Sequence, residues 1–152
     1  MNEFMKIAIE EAFEGVRNND GGPFGAVIVK EGLVIAKAHN QVLSTKDPTA
    51  HAEVVAIRKA CAKLGTYDLS GCELYSSSEP CPMCLSAIHW ARIKKVVYGC
   101  TREDAAKIGF DDKKLYELIK KPKTMLNFIQ RDREHCLNPF KEWEKKEDRT
   151  VY

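Results

Sequence analysis

Apolar positions recur along the chain with two periods, and the switches between them mark out the elements. Phe4, Ile7, Ala8, Ala12 and Val16 fall three or four apart, so the pattern predicts an amphipathic helix over about residues 3–18. NNDGGP breaks it. FGAVIVK and LVIAKAHN are short β-rich runs joined by Glu31-Gly32, a hairpin signal. The polar stretch QVLSTKDP reads as a loop. Pro48 suits the first turn of a helix, and Val54, Ile57, Cys61 and Leu64 trace its buried stripe until Gly65 stops it. CELYSS is a strand, CPMCLSAIHWAR a helix with Pro82 in its first turn, and KKVVYGC another strand. REDAAKIGFDDKKLYELIKK reads as a short helix, a turn at Gly109 and a second helix. TMLNFIQ is predicted as an edge strand, and NPFKEWEKKED as a final, mostly solvated helix after Pro139. Strands alternating with helices imply an α/β fold, a sheet layered between helices. A length of 152 residues suits a single domain, 1–152.

Composition narrows the classes. Hydrophobic residues make up 44% of the chain, enough for one core. A net charge of +2, with no block of one sign, is too mild to imply nucleic acid or an anionic membrane surface. No apolar run approaches the roughly 18 residues of a membrane span. The N-terminus carries acids inside its apolar pattern, unlike a signal peptide, so a cytoplasmic location is expected. Six cysteines would suggest three disulfides in a small secreted chain. In a cytosolic one, Cys61, Cys72, Cys100 and Cys136, scattered through apolar surroundings, read as buried free thiols.

Cys81 and Cys84 differ because they form a CxxC. Zinc draws its ligands from thiolates and imidazoles, four in a structural site and three plus an open position in a catalytic one. His51, Cys81 and Cys84 supply three. His39, His89 and His135 have no partner at ligand spacing, and His89 reads as a core or helix-surface residue. The count therefore predicts an open, catalytic site holding one Zn2+ per chain. A lone CxxC can instead be a redox pair. Against that, Pro80 and Pro82 bracket Cys81, and both His51 and Cys81 fall at predicted helix starts, where the dipole favours a thiolate. Glu53 stands two residues after His51. Alone it would be an ordinary partner of the helix dipole. Together these residues form H-x-E followed by P-C-x-x-C, the signature of zinc nucleobase deaminases, with Glu53 as the proton shuttle.

On these motifs, with GGPFGAVIVK, KDPTAHAEVVAIRKAC, EPCPMCLSAIHWAR, GFDD and a C-terminal tyrosine, the chain resembles the cytidine deaminase superfamily, and within it the bacterial guanine deaminases. The likeness runs from residue 21 to about residue 112, plus the chain end. The resemblance implies a three-layer α/β/α fold with a mixed five-stranded sheet. It implies zinc-dependent hydrolysis of guanine to xanthine and ammonia, and a homodimer in which the segment of about residues 135–152 is exchanged between subunits. Phe140, Trp143 and Tyr152 would anchor such a tail. By the same resemblance Asn40 binds the purine edge, Phe24 and Trp90 sandwich the base, and Tyr152 caps the pocket. Asp112, with Asp111 as its nearest rival, would accept from the donor-rich edge of guanine. Plainer readings stand beside these: a strand-end turn residue for Asn40, core positions for Phe24 and Trp90, a helix N-cap for either aspartate, and an unordered terminus for Tyr152. The rivals in function are the same chemistry on guanosine, cytosine or tRNA adenosine, and a non-catalytic zinc-binding module. The interleaved charges of KEWEKKEDR disfavour tRNA. Glu53 argues against the structural module, which needs no proton shuttle.

Overall fold

Asn2 starts the first helix, α1 (Glu3–Arg17), its side-chain oxygen accepting from the N–H groups of Phe4 and Met5 at 3.0 Å each. The computed structural model describes the backbone of residues 1–152 and every side chain except that of Thr124. After α1 come β1 (Gly25–Lys30) and β2 (Leu33–His39), joined by a hairpin in which Glu31 and Gly32 both take positive φ, 50° and 75°. That pair of angles matches the twist of the flanking strands. A short helix, α2 (Val42–Thr45), replaces the expected loop, and α3 (Ala52–Leu64) follows. Pro48 is not in the first turn of α3, as expected, but in the turn before it. The Asp47 carboxylate accepts from the N–H and hydroxyl of Thr49, at 2.8 and 2.6 Å, and this local turn outcompetes an earlier helix start. Gly65 ends α3 in the left-handed conformation, φ 66°. β3 (Cys72–Ser78), α4 (Pro82–Trp90), β4 (Lys95–Cys100) and α5 (Arg102–Lys107) complete this part of the chain.

The sheet runs β2-β1-β3-β4; β1 pairs antiparallel with β2 and β3, and β3 pairs parallel with β4 across α4. Side chains alternate between its faces. Ala26, Ile28 and Leu74 enter one core with Ala52, Val55, Ala56 and Ile88 of α3 and α4. Val27, Val29 and Tyr75 enter the other with Ala8 of α1. Helices thus cover both faces, giving three layers. Gly25 is required where α1 crosses β1, since a Cβ there would lie 2.0 Å from the Ala8 carbonyl oxygen.

The mixed sheet has four strands among the described residues, not five. TMLNFIQ does not form the expected edge strand: Pro122–Met125 is a single helical turn, α7, preceded by α6 (Lys113–Lys120), and residues 126–130 pair with no strand. Pro122 suits a helix start, and β-prone residues form no strand without a ladder to join. α8 (Arg133–Cys136) and α9 (Asn138–Lys145) follow. The chain divides into two compact units, Met1–Asp112 and Lys113–Tyr152. All six cysteines are free. Cys72 is buried and Cys61 half-buried, but Cys100 and Cys136 are exposed, because one ends the edge strand β4 and the other lies on a four-residue helix. No described helix is long and apolar enough to cross a membrane.

Candidate metal centre and active site

Two helix starts converge. His51 is the N-cap of α3 and Cys81 the N-cap of α4, both in extended conformation, with neither side chain spent on capping. Pro82 at the first helical position of α4 gives up an N–H that has no intrahelical partner anyway. Cys84 follows three residues later, on the same helix face as Cys81. His51 Nδ1 lies 3.6 Å from Cys81 Sγ and 3.5 Å from Cys84 Sγ. The three ligand atoms all lie within 4.8 Å of one another.

This donor set fits zinc. Bonds of about 2.1 Å to nitrogen and about 2.3 Å to sulfur at a tetrahedral angle require an N···S separation of about 3.6 Å. Charge agrees with geometry. The Cys81 thiol falls to about 4, held by hydrogen bonds from Cys84 first and then His51, against the opposing effect of burial. Cys84 is pushed up by its bond to Cys81 and by burial. His51 is raised by its bond to Cys81, with burial opposing.

Glu53, in the first turn of α3, points inward and is 6% exposed. Burial drives its pKa up. One carboxylate oxygen accepts from the Ser76 hydroxyl at 3.2 Å, and the other lies 3.3 Å from Cys84 Sγ. Ser76 pairs in register with Ala26, which puts it on the α3–α4 face of the sheet. Sequence reasoning missed Ser76, although a small polar residue at an inward-facing strand position was a signal.

Asn40 follows β2 and is 5% exposed. Its N–H donates to the Phe24 carbonyl at 3.0 Å, and its side-chain oxygen accepts from Val42 N–H at 3.0 Å. The next residue, Gln41, donates its N–H to the carbonyl of Ala50, beside His51. Asn40 therefore makes a strand-end turn, and the chain just after it is tied to the residue before His51. Phe24 is half-buried and meets Phe110, also missed from sequence, edge to face at 5.0 Å and 87°. Asp112 is half-buried; burial and the nearby Cys81 charge raise its pKa against the pull of Arg102. Asp111 is exposed. Trp90 is not brought to the ligands within one chain: it is 62% exposed at the far end of α4, about 13–14 Å of helix from Cys81. Its neighbour is His89, at 6.0 Å between ring centres. Tyr152 is exposed and belongs to the C-terminal unit.

A family model for the cytidine and deoxycytidylate deaminase zinc-binding region matches residues 1–100. The chain belongs to the cytidine and deoxycytidylate deaminase family. Zinc is accordingly its metal, and His51, Cys81 and Cys84 are the residues whose chemistry fits it. Within this family, guanine deaminase of Bacillus subtilis (strain 168) is 54% identical over 142 residues, covering 92% of this chain and 91% of that one. Its X-ray structure matches with a TM-score of 0.95 at 51% identity, covering 100% of this chain and 99% of that one. The tRNA-specific adenosine deaminase of Aquifex aeolicus (strain VF5) is 52% identical over 96 residues, 63% of each chain.

Proposed function

We propose that this deaminase acts on guanine, converting guanine and water to xanthine and ammonia. The observation that carries the reading is the identity and reach of the likeness taken together. The guanine deaminase is 54% identical through 92% of the chain, whereas tRNA-specific adenosine deaminases are 52% identical over 63% of it or 36% identical over 85%.

The reaction forms a C–O bond at the ring carbon that bears the amino group and breaks its C–N bond. When bound, zinc supplies Lewis acidity that lowers the pKa of water from about 15.7 toward about 7. The chain's own residues move the protons. Glu53 takes one from the attacking water and gives it to the ring nitrogen, then takes the second from the hydroxyl now on the ring carbon and delivers it to the departing amine. Its burial suits the task, because burial raises the pKa of the carboxyl above its ordinary value and so makes it a better proton acceptor. Ser76 holds one Glu53 oxygen and so orients the other.

The base is assigned to the rim. Asn40 presents an amide that both donates and accepts. Phe24, braced by Phe110, offers a ring face. Asp112, rather than the exposed Asp111, accepts from the N–H groups of guanine, an arrangement that adenine's acceptor-rich edge cannot satisfy. The same reading keeps Trp90 as a stacking residue and Tyr152 as a cap on the pocket. The same proposal includes a homodimer with exchanged C-terminal segments. The 67% exposure of Phe140 and 70% exposure of Tyr152 support it, since aromatic anchors need a surface to cover them. The free thiols support a cytoplasmic setting.

The test is ammonia release by the purified, zinc-loaded protein from guanine, guanosine, adenine, cytosine and tRNA. Guanine should be turned over fastest. Efficient deamination of guanosine or of a tRNA adenosine, with free guanine untouched, would sink the proposal.

A further inference from the structure

A second polar cluster lies away from the metal ligands, and the chemistry above does not use it. His39, the last residue of β2, is 8% exposed and sits between two carboxylates. Its Nδ1 is 3.0 Å from Glu11 Oε2 on α1, and its Nε2 is 2.9 Å from Asp20 Oδ2 in the loop after α1. Each ring nitrogen thus faces a carboxylate oxygen at hydrogen-bond distance. Lys37 Nζ lies 2.8 Å from the other Glu11 oxygen, and Glu14 also faces His39. Both ring nitrogens are committed and an ammonium holds Glu11, so the cluster is built as an ionic tie and not as a cation site.

The tie meets the base-binding rim directly. A Cβ on Gly15 would lie 2.8 Å from the His39 ring, so the α1 backbone packs against the imidazole. The Asp20 carbonyl accepts from Leu43 N–H at 2.9 Å and Ser44 N–H at 3.1 Å. A Cβ on Gly21 would fall 2.1 Å from the Asn40 side-chain oxygen, and one on Gly22 would fall 2.9 Å from the Phe24 and Phe110 rings. The loop that Asp20 anchors therefore lies against Asn40 and leads into Phe24. Apolar residues could fill the same space without desolvating charges. What the ion pairs add is a defined position for the loop.

We propose that His39 and Asp20 are positioning residues for nucleobase binding, clamping the loop of residues 20–24 against Asn40 and so setting where Asn40 and Phe24 meet the base. This rests on the assignment of those two residues to the base under the proposed function. Asp20 is the better handle, because its side chain is partly exposed and its loss leaves the core intact. In the zinc-loaded full chain, Asp20→Ala should raise KM for guanine about 5–20-fold, the loss of one charge-assisted hydrogen bond, with kcat within about twofold and zinc content unchanged. Asp20→Asn keeps an acceptor for His39 and should restore most of the affinity, leaving KM about threefold above wild type. If Asp20→Ala does not fold, that threefold rise carries the test. Asn40→Ala is the control. Should it raise KM while the Asp20 variants only lower the melting temperature, the positioning role is overturned and the base assignment survives. Should Asn40→Ala leave KM unchanged, both fall.

Discussion

Replacing Glu53 by glutamine changes one oxygen for an amino group and little else. The glutamine carbonyl can still accept from the Ser76 hydroxyl, 3.2 Å away in the wild type, and the new amino group faces Cys84 Sγ, 3.3 Å from the present carboxylate. Both neighbours of this 6%-exposed side chain keep a partner, so the fold should hold. What is lost is the ability to take and return a proton. General acid–base catalysis is worth about 10²–10⁴-fold, or about 2.7–5.5 kcal/mol of barrier. Glu53→Gln should therefore lower kcat for guanine by that factor, with zinc stoichiometry and melting temperature close to wild type. The assay is steady-state xanthine formation followed by absorbance, with zinc measured on the same sample so that turnover is expressed per bound ion. A kcat within about tenfold of wild type at full zinc occupancy would show that another residue carries the proton.

Cys84→Ala removes one of three ligands and should leave well under one zinc per chain by elemental analysis; full retention would take Cys84 out of the site. Asp112→Asn should cost about 5–150-fold in kcat/KM for guanine, the price of an unmatched buried polar group, with zinc in place, whereas Asp111→Asn should matter less. For Glu11, burial acts to raise the pKa, but the bonds from Lys37 and His39 outweigh it and hold the carboxyl below its ordinary 4.5. A depressed folded pKa gives stability that is present above that ordinary value and lost as pH falls through the folded one. Wild type and Glu11→Gln should differ in melting temperature at pH 7 and converge toward pH 3; a gap that stays constant across this range would refute the linkage.

Local signals explain what could be read in advance. The periods of α1 and β1, the Glu31-Gly32 hairpin, the Gly65 stop and the Pro82 helix start each depend on residues a few positions apart, and each appears in the structure. H-x-E and P-C-x-x-C carry the metal chemistry for the same reason. Their spacing sets His51 and Glu53 on one helix start, and Cys81 and Cys84 on another.

Tertiary structure decided whatever depends on partners distant in the chain. Ser76 reaches Glu53 across 23 residues because β3 lies beside β1 in a register that turns it toward α3. His39 joins Glu11 across 28 residues and Asp20 across 19, and none of the three is singled out by its neighbours in sequence. The family resemblance implies a stacking role for Trp90, yet nine residues of helix carry it away from Cys81. TMLNFIQ has the composition of a strand, but a strand exists only where another offers its N–H and C=O groups, and residues 126–130 find none among those described. Spacing along the chain determined which groups could act together; the packing of α1, α3 and α4 on the sheet decided which of them meet.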